Sequence, residues 1–317
     1  MNVGIWIYIS GFPAGNRWGI TNGWRQETFA WSDILRAAIV TGYPMLTAIP
    51  SRQFARWRTA GFHLALRHAS GELVQPPEWD RLDPSEKGAA SSLLGLVVTK
   101  LTVERLLHAP IFLFLDIYFA VMVPAGAKRR RPDFIARTIT GRWIPAEAKG
   151  KSRFWPKTLT NGKEQACGIG WVNGQRVSTA VVCVTSFRKG VMQARFADPE
   201  ADEDEAGALG GEPMQAVHGY YHQLNRFKQT SERLGEQPIP NSDIVVELWR
   251  SPELDADFGV VPELQAALEQ RSLRAVDVVL KKLDAEDAAT GTPFLGPDGI
   301  AVIPGRTWRD DSVVDRV

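Results

Sequence analysis

The sequence predicts an α/β protein whose central third runs helix, strand, strand, strand, helix, strand. Three observations carry that expectation. A capped helix start at Asp83-Pro84-Ser85-Glu86 precedes a long apolar stripe, a hairpin signal surrounds Thr140-Gly141-Arg142, and a β-branched run spans Arg176 to Val184.

Asp83 suits the N-cap, Pro84 the first helical position, and Glu86 the third, the pattern of a capping box. Leu93, Leu94, Val97, Val98, Leu101, Leu106 and Leu107 then give the helix a wide buried face until Pro110 stops it. Ile111 to Phe119 is short, apolar and rich in β-formers, and is expected to be a buried strand. Asp133–Ile139 and Trp143–Lys149 are the two strands of the hairpin, with Pro145 as the one residue that fits a strand poorly. A helix is expected over Leu159–Trp171. The run from Arg176 to Val184 resembles a strand buried on both faces.

The flanks are less specific. Met1–Ile9 is apolar, lacks the basic leader of a secretory signal, and is too short to span a bilayer, so a buried strand is expected there. Trp31–Val40 is a helix candidate, and Gln75–Trp79 breaks regular structure. Toward the C-terminus, Pro213–Thr230 is expected to be helical and Asp243–Trp249 a strand. Pro262–Leu283 is expected to form two helical pieces, and Phe294–Val302 a hairpin turning at Asp298-Gly299. The expected division is an N-terminal extension over 1–80, a core over 81–235, and a C-terminal α/β addition over 236–317 packed on that core.

With 317 residues, 44% hydrophobic and 23% charged, the chain has the composition of a folded globular protein rather than a disordered or fibrous one. Its two cysteines, Cys167 and Cys183, stand outside any C-x-x-C or Cys/His cluster, which argues against a zinc site and suits a reducing, cytoplasmic compartment without membrane attachment. The net charge of +1 hides a segregation. Between Val121 and Thr160 ten basic residues face only Asp133 and Glu147, a local balance of +8, whereas Asp198–Glu205 is an acidic run.

Asp133 opens one hairpin strand, while Glu147 and Lys149, two apart on the other, share a face. Two carboxylates and a backbone carbonyl can hold a hard cation such as Mg²⁺, and a lysine beside them can orient or deprotonate a water for phosphodiester attack.

Pro132-Asp133, then Glu147-Ala148-Lys149, resembles the signature of the PD-(D/E)xK nuclease superfamily, and Glu147-Ala148-Lys149 is the only [DE]-x-K among the chain's eleven lysines. The resemblance covers about a third of the chain, from Pro84 to Val184. It implies a restriction-endonuclease-like αβββαβ core with a mixed central sheet flanked by helices. It further implies a metal-dependent nuclease acting on DNA, with Asp133, Glu147 and the Ala148 carbonyl holding Mg²⁺, or Mn²⁺ in its place, and Lys149 handling the water. A role in bacterial defence, as a homodimer or within a larger defence complex, follows from the resemblance alone.

Alternatives stay open around this centre. Glu86 is either an added metal ligand, as in many superfamily members, or only the capping-box acid, with Glu104 on the same helix a weaker candidate ligand. Gln165 is either a glutamine beside the site or a solvent-facing helix residue. Lys128, Arg129, Arg130, Arg131, Lys151 and Arg153 are either phosphate-binding groups or a solvated loop. A non-catalytic nucleic-acid-binding or assembly protein on the same fold and an RNA nuclease are the rival functions. His218 and His222 have zinc-helix spacing but carry Gly219 where a metalloprotease needs Glu, and Gly168–Gly174 lacks the dinucleotide spacing. Trp143 and Trp155 lie near the proposed site as surfaces on which bases could stack.

Overall fold

Strict alternation builds the first strand, β1 (Asn2–Ser10): Val3, Ile5, Ile7 and Ile9 are buried, while Trp6 and Tyr8 project from the opposite face. The computed structural model of the chain describes residues 2–41, 60–61, 65–122, 131–198, 207–290 and 294–308. β2 (Gly23–Ala30) runs antiparallel to β1 and leads directly into α1 (Trp31–Val40), the helix expected from sequence. β3 (Arg67–Ala69) and β4 (Glu72–Val74) form a short hairpin.

α2 (Pro84–Leu107) begins as its sequence dictates. Asp83 accepts hydrogen bonds from the Ser85 and Glu86 N–H groups, and the Glu86 carboxylate accepts from the Asp83 N–H. Such a box satisfies N–H groups that the first helical turn leaves unpaired.

Next come β5 (Ile111–Phe114), α3 (Leu115–Tyr118), β6 (Ala120–Met122), β7 (Phe134–Arg137), β8 (Trp143–Gly150) and α4 (Pro156–Ala166). The expected strand over Ile111–Phe119 therefore ends at Phe114. The Leu115 N–H bonds the Asp133 carbonyl, and the chain turns helically through Asp116 before β6 pairs with another sheet. α4 likewise stops short of the Trp171 expected, because Gly168 and Gly170 support a helix poorly. Ile169–Val172 instead forms β9, which turns through Asn173-Gly174, both at positive φ, into β10 (Gln175–Arg176). The buried run starts later than expected, as β11 (Val181–Arg188), and continues into β12 (Val191–Ala197) and β13 (Gly207–Gly210). α5 (Pro213–Lys228), β14 (Glu232–Pro238), β15 (Val245–Ser251), β16 (Ala256–Val260), α6 (Pro262–Glu269), α7 (Leu273–Thr290) and β17 (Ile300–Pro304) complete the order. The C-terminal hairpin is reduced to β17 and a single bridge, Leu295 to Ala301.

The protein is thus mixed α/β around a nine-stranded sheet in the order β2-β1-β4-β12-β11-β8-β7-β5, with β3 on β4. β8 and β11 are parallel, β1 is parallel to β12, and β7 is antiparallel to both neighbours. The region read as an N-terminal extension supplies β1 to β4 of this same sheet. Two smaller sheets, β10-β9-β13-β6 and β14-β15-β16-β17, share a hydrophobic core with it.

α1 and α2 cover one face of the central sheet, packing Leu94, Val97 and Leu101 with Ala146, Ala148 and Cys183. The approach of α2 to β8 is close enough to require glycine. A Cβ on Gly95 would lie 2.6 Å from the Gly150 nitrogen, and one on Gly150 would lie 1.6 Å from the Ser91 carbonyl oxygen. The other face is filled near β5 and β7 by α5 and the C-terminal elements, and near β8 and β11 by α4.

A buried charge cluster ties these layers together. Arg36 of α1 donates to Glu104 of α2 and, at 2.8 Å, to Asp298 before β17. Lys100 also binds Glu104, and the Tyr220 hydroxyl donates to Asp298 at 2.7 Å. Burial pushes the Glu104 carboxyl up, but Arg36 and Lys100 outweigh it and hold it below its ordinary value. Glu104 is therefore a structural group, and its candidacy as a metal ligand is withdrawn because both neighbouring cations already engage its oxygens.

Candidate active site

The antiparallel ladder between β7 and β8 ends at Phe134 opposite Ala146. Past that point β8 keeps β11 as a partner as far as Gly150, so Glu147 to Gly150 pair on one side only. The two strands part here, and their charged side chains occupy the notch. Asp133, just before β7, donates its backbone N–H to the Glu147 carboxylate at 2.9 Å. Glu147 is fully buried, and the half-buried Lys149 ammonium ion-pairs with its second oxygen.

Strand alternation directs Ala146 and Ala148 toward α2, which leaves Glu147 and Lys149 on the face covered by α4. Gly162 of α4 sits over the site. A Cβ there would meet Glu147 Cγ in ordinary contact at 3.7 Å but would lie 2.5 Å from Val182 Cγ2, so a larger residue would press α4 away from β11.

The electrostatics are unbalanced. Burial first, and then the Asp133 charge, raise the Glu147 carboxyl from its ordinary 4.5 to about 7, against the opposing pull of Lys149. Asp133 is also raised, first by burial and then by Asp116, with Lys149 and Arg131 pulling the other way. Asp116, on the turn of α3, accepts a hydrogen bond from Arg131 at 2.6 Å. Sequence reading missed it because it lay inside the expected strand. The signal available was a lone acid in an apolar run, followed one strand later by Asp133.

Of the expected site residues, Asp133, Glu147, Ala148 and Lys149 meet in the notch. Glu86 does not join them. Its carboxylate is exposed and committed to the Asp83 N–H, and α2 lies against the opposite face of β8. Gln165 lies one turn beyond Gly162 on the helix over the site. It is half-buried, and its amide has no hydrogen-bond partner among the described residues. Arg131 is exposed and bound to Asp116, while Lys151 and Arg153 are exposed without an ion pair among the described residues. Lys128, Arg129 and Arg130 lie outside the described residues, as does most of the acidic run after Asp198.

The donor set fits a hard divalent cation. Asp133 and Glu147 bring two carboxylates together in the notch, and β8 is open along the edge that carries Ala148. Among the described residues no group of three or more His, Cys, Asp and Glu is arranged to hold a metal. Mg²⁺ asks for less, since it retains several waters and commonly takes only one or two carboxylates. His218 and His222 stack 6.1 Å apart on α5 and belong to no such group.

No family model, no curated protein and no solved structure matches the chain. Among the described residues no helix is long and apolar enough to cross a membrane.

Proposed function

We propose that the chain is a metal-dependent nuclease of the PD-(D/E)xK kind that hydrolyses phosphodiester bonds of DNA. The observation that carries this reading is the meeting of Asp133, Glu147 and Lys149 in the notch between β7 and β8. With α3–β6 and β9–β10 taken as insertions, the order α2, β5, β7, β8, α4, β11, with β8 parallel to β11, supports a restriction-endonuclease-like core.

In this reading Asp133, Glu147 and the Ala148 carbonyl hold Mg²⁺. When bound, the cation neutralises the carboxylates and stabilises charge on the phosphoryl and leaving oxygens. Lys149 orients the attacking water from the rim of the site. Gln165 reaches toward the substrate from α4, and Lys151 and Arg153 engage flanking phosphates, an interaction that should weaken steeply with salt.

Cleavage of supercoiled plasmid and of single-stranded DNA, in Mg²⁺, Mn²⁺ or EDTA, tests the assignment. Wild type should cut in either metal and stop in EDTA. Glu147→Ala and Lys149→Ala should each lose roughly 10²-fold or more in rate. Equal DNA binding by all three proteins without cutting by wild type would sink the reading and favour a non-catalytic one.

A further inference from the structure

Among the described residues, the face of the central sheet that carries Glu147 and Lys149 continues past α4 without a helix over it. Cross-strand register defines what lies there. Lys149 stands opposite Val184, Val184 opposite Arg195, Arg195 opposite Tyr8, and Tyr8 opposite Trp24. These five positions form one row across β8, β11, β12, β1 and β2. At about 4.8 Å between strands, Tyr8 is about 14 Å from Lys149 along the row.

The far end of that row is aromatic and cationic. Tyr8 and Trp24 are exposed at 37% and 44%, with ring centroids 5.2 Å apart. The Arg195 guanidinium lies 5.8 Å from the Tyr8 centroid, 5.5 Å from that of Trp24 and 3.9 Å from that of Phe154. Among the described residues Arg195 makes no hydrogen bond or ion pair, and the exposed Arg188, on the same face by alternation, makes none either. In the next row Trp6 is 36% exposed, and its indole is steadied by a 2.9 Å hydrogen bond to Glu72.

A face that existed only for packing would cover these rings, and one that existed only for solubility would pair the arginines. Rings that are open beside unpaired guanidinium groups complement a ligand with flat faces and a phosphate backbone. We propose that this part of the sheet is a stacking platform for an unpaired nucleic-acid strand, which passes from Tyr8, Trp24 and Arg195 over the Phe154 and Leu159 that cover Val184 and on toward the notch. The direction of travel rests on the nuclease reading; the platform itself does not. An unpaired strand is the occupant the chemistry selects, because bases in a duplex already stack on one another and offer no free faces to Tyr8 and Trp24.

The test is binding of fluorescein-labelled oligothymidylate, oligouridylate and a duplex of equal length in EDTA, where no turnover occurs. Wild type should bind at least one single strand more tightly than the duplex, with quenching of its tryptophan fluorescence. Tyr8→Ala/Trp24→Ala should weaken that binding roughly tenfold or more while leaving duplex affinity and melting temperature unchanged. Arg195→Met, which keeps the aliphatic stem, should flatten the dependence of log Kd on log salt by about 0.7. Unchanged single-strand affinity in the double variant, or tighter duplex binding by wild type, would overturn the platform. Its failure is separable from that of the nuclease reading. Metal-dependent cutting with row-independent binding removes the platform alone, whereas row-dependent binding without cutting leaves the platform and removes the nuclease.

Discussion

Two buried glutamates, each beside a lysine, respond to burial in opposite ways. Glu104 sits among Arg36, Lys100 and the Asp298 carboxylate, and its carboxyl is held below the ordinary value although burial alone would raise it. Glu147 has Lys149 on one oxygen and a backbone N–H on the other, yet burial and Asp133 lift it to about 7. The first cluster has its cations in place and is closed on all sides. The second lies at a parting of strands, where burial and the nearby Asp133 together outweigh its one cation. Buried charge therefore divides into groups whose cations outweigh burial and groups whose cations do not, and it is the second kind that we propose as a cation site.

That contrast can be broken most severely at the balanced cluster. Arg36→Met should cost about 3–5 kcal/mol, because it strands the Glu104 and Asp298 carboxylates away from water with one cation fewer, and urea denaturation measures the loss. Little change in the urea midpoint would show that the cluster contributes little to stability.

A change at the unbalanced cluster should act in the opposite direction. A carboxyl whose folded pKa lies above its unfolded one contributes stability that is fully present below about 4.5 and is lost as pH rises through about 7. Glu147→Gln should accordingly raise the melting temperature of metal-free protein at pH 8 by a few degrees and flatten its pH dependence between those values, while abolishing cleavage. A lower melting temperature at pH 8 would mean that the Lys149 ion pair, not the shortfall of positive charge, governs this residue.

The smallest effect should come from Asp116→Asn. Removing that charge lets Asp133 ionise more easily, so the acid limb of the pH–rate profile should move to lower pH, with the plateau rate little altered. An unmoved limb would take Asp116 out of the site.

What the sequence discloses follows the range of the forces involved. The Asp83–Glu86 box and the Trp31–Val40 helix are local, written in caps and periodicity, and the structure has them where expected. The Glu147-Ala148-Lys149 triplet was legible because strand alternation is local too. The parallel pairing of β1 with β12 was not, since it joins Trp6 to Gln193 with no signal in either segment naming the other. For the same reason the Trp24–Tyr8–Arg195 row cannot be read before the sheet is assembled. Two local signals were missed outright: the Asn173-Gly174 turn, a strong hairpin dipeptide, and the helical turn at Asp116.

The Arg36 to Asp298 contact spans 262 residues of sequence. During synthesis α1 is made long before the carboxylate that becomes the second partner of its guanidinium. Closing so long a loop is slow but adds little extra entropic cost for its length. A ribosome that stalls before Asp298 would release a chain whose innermost charges remain uncompensated, a product poorly able to hold its layers together. The segment around Asp298 thus completes the charge balance of helices translated long before it.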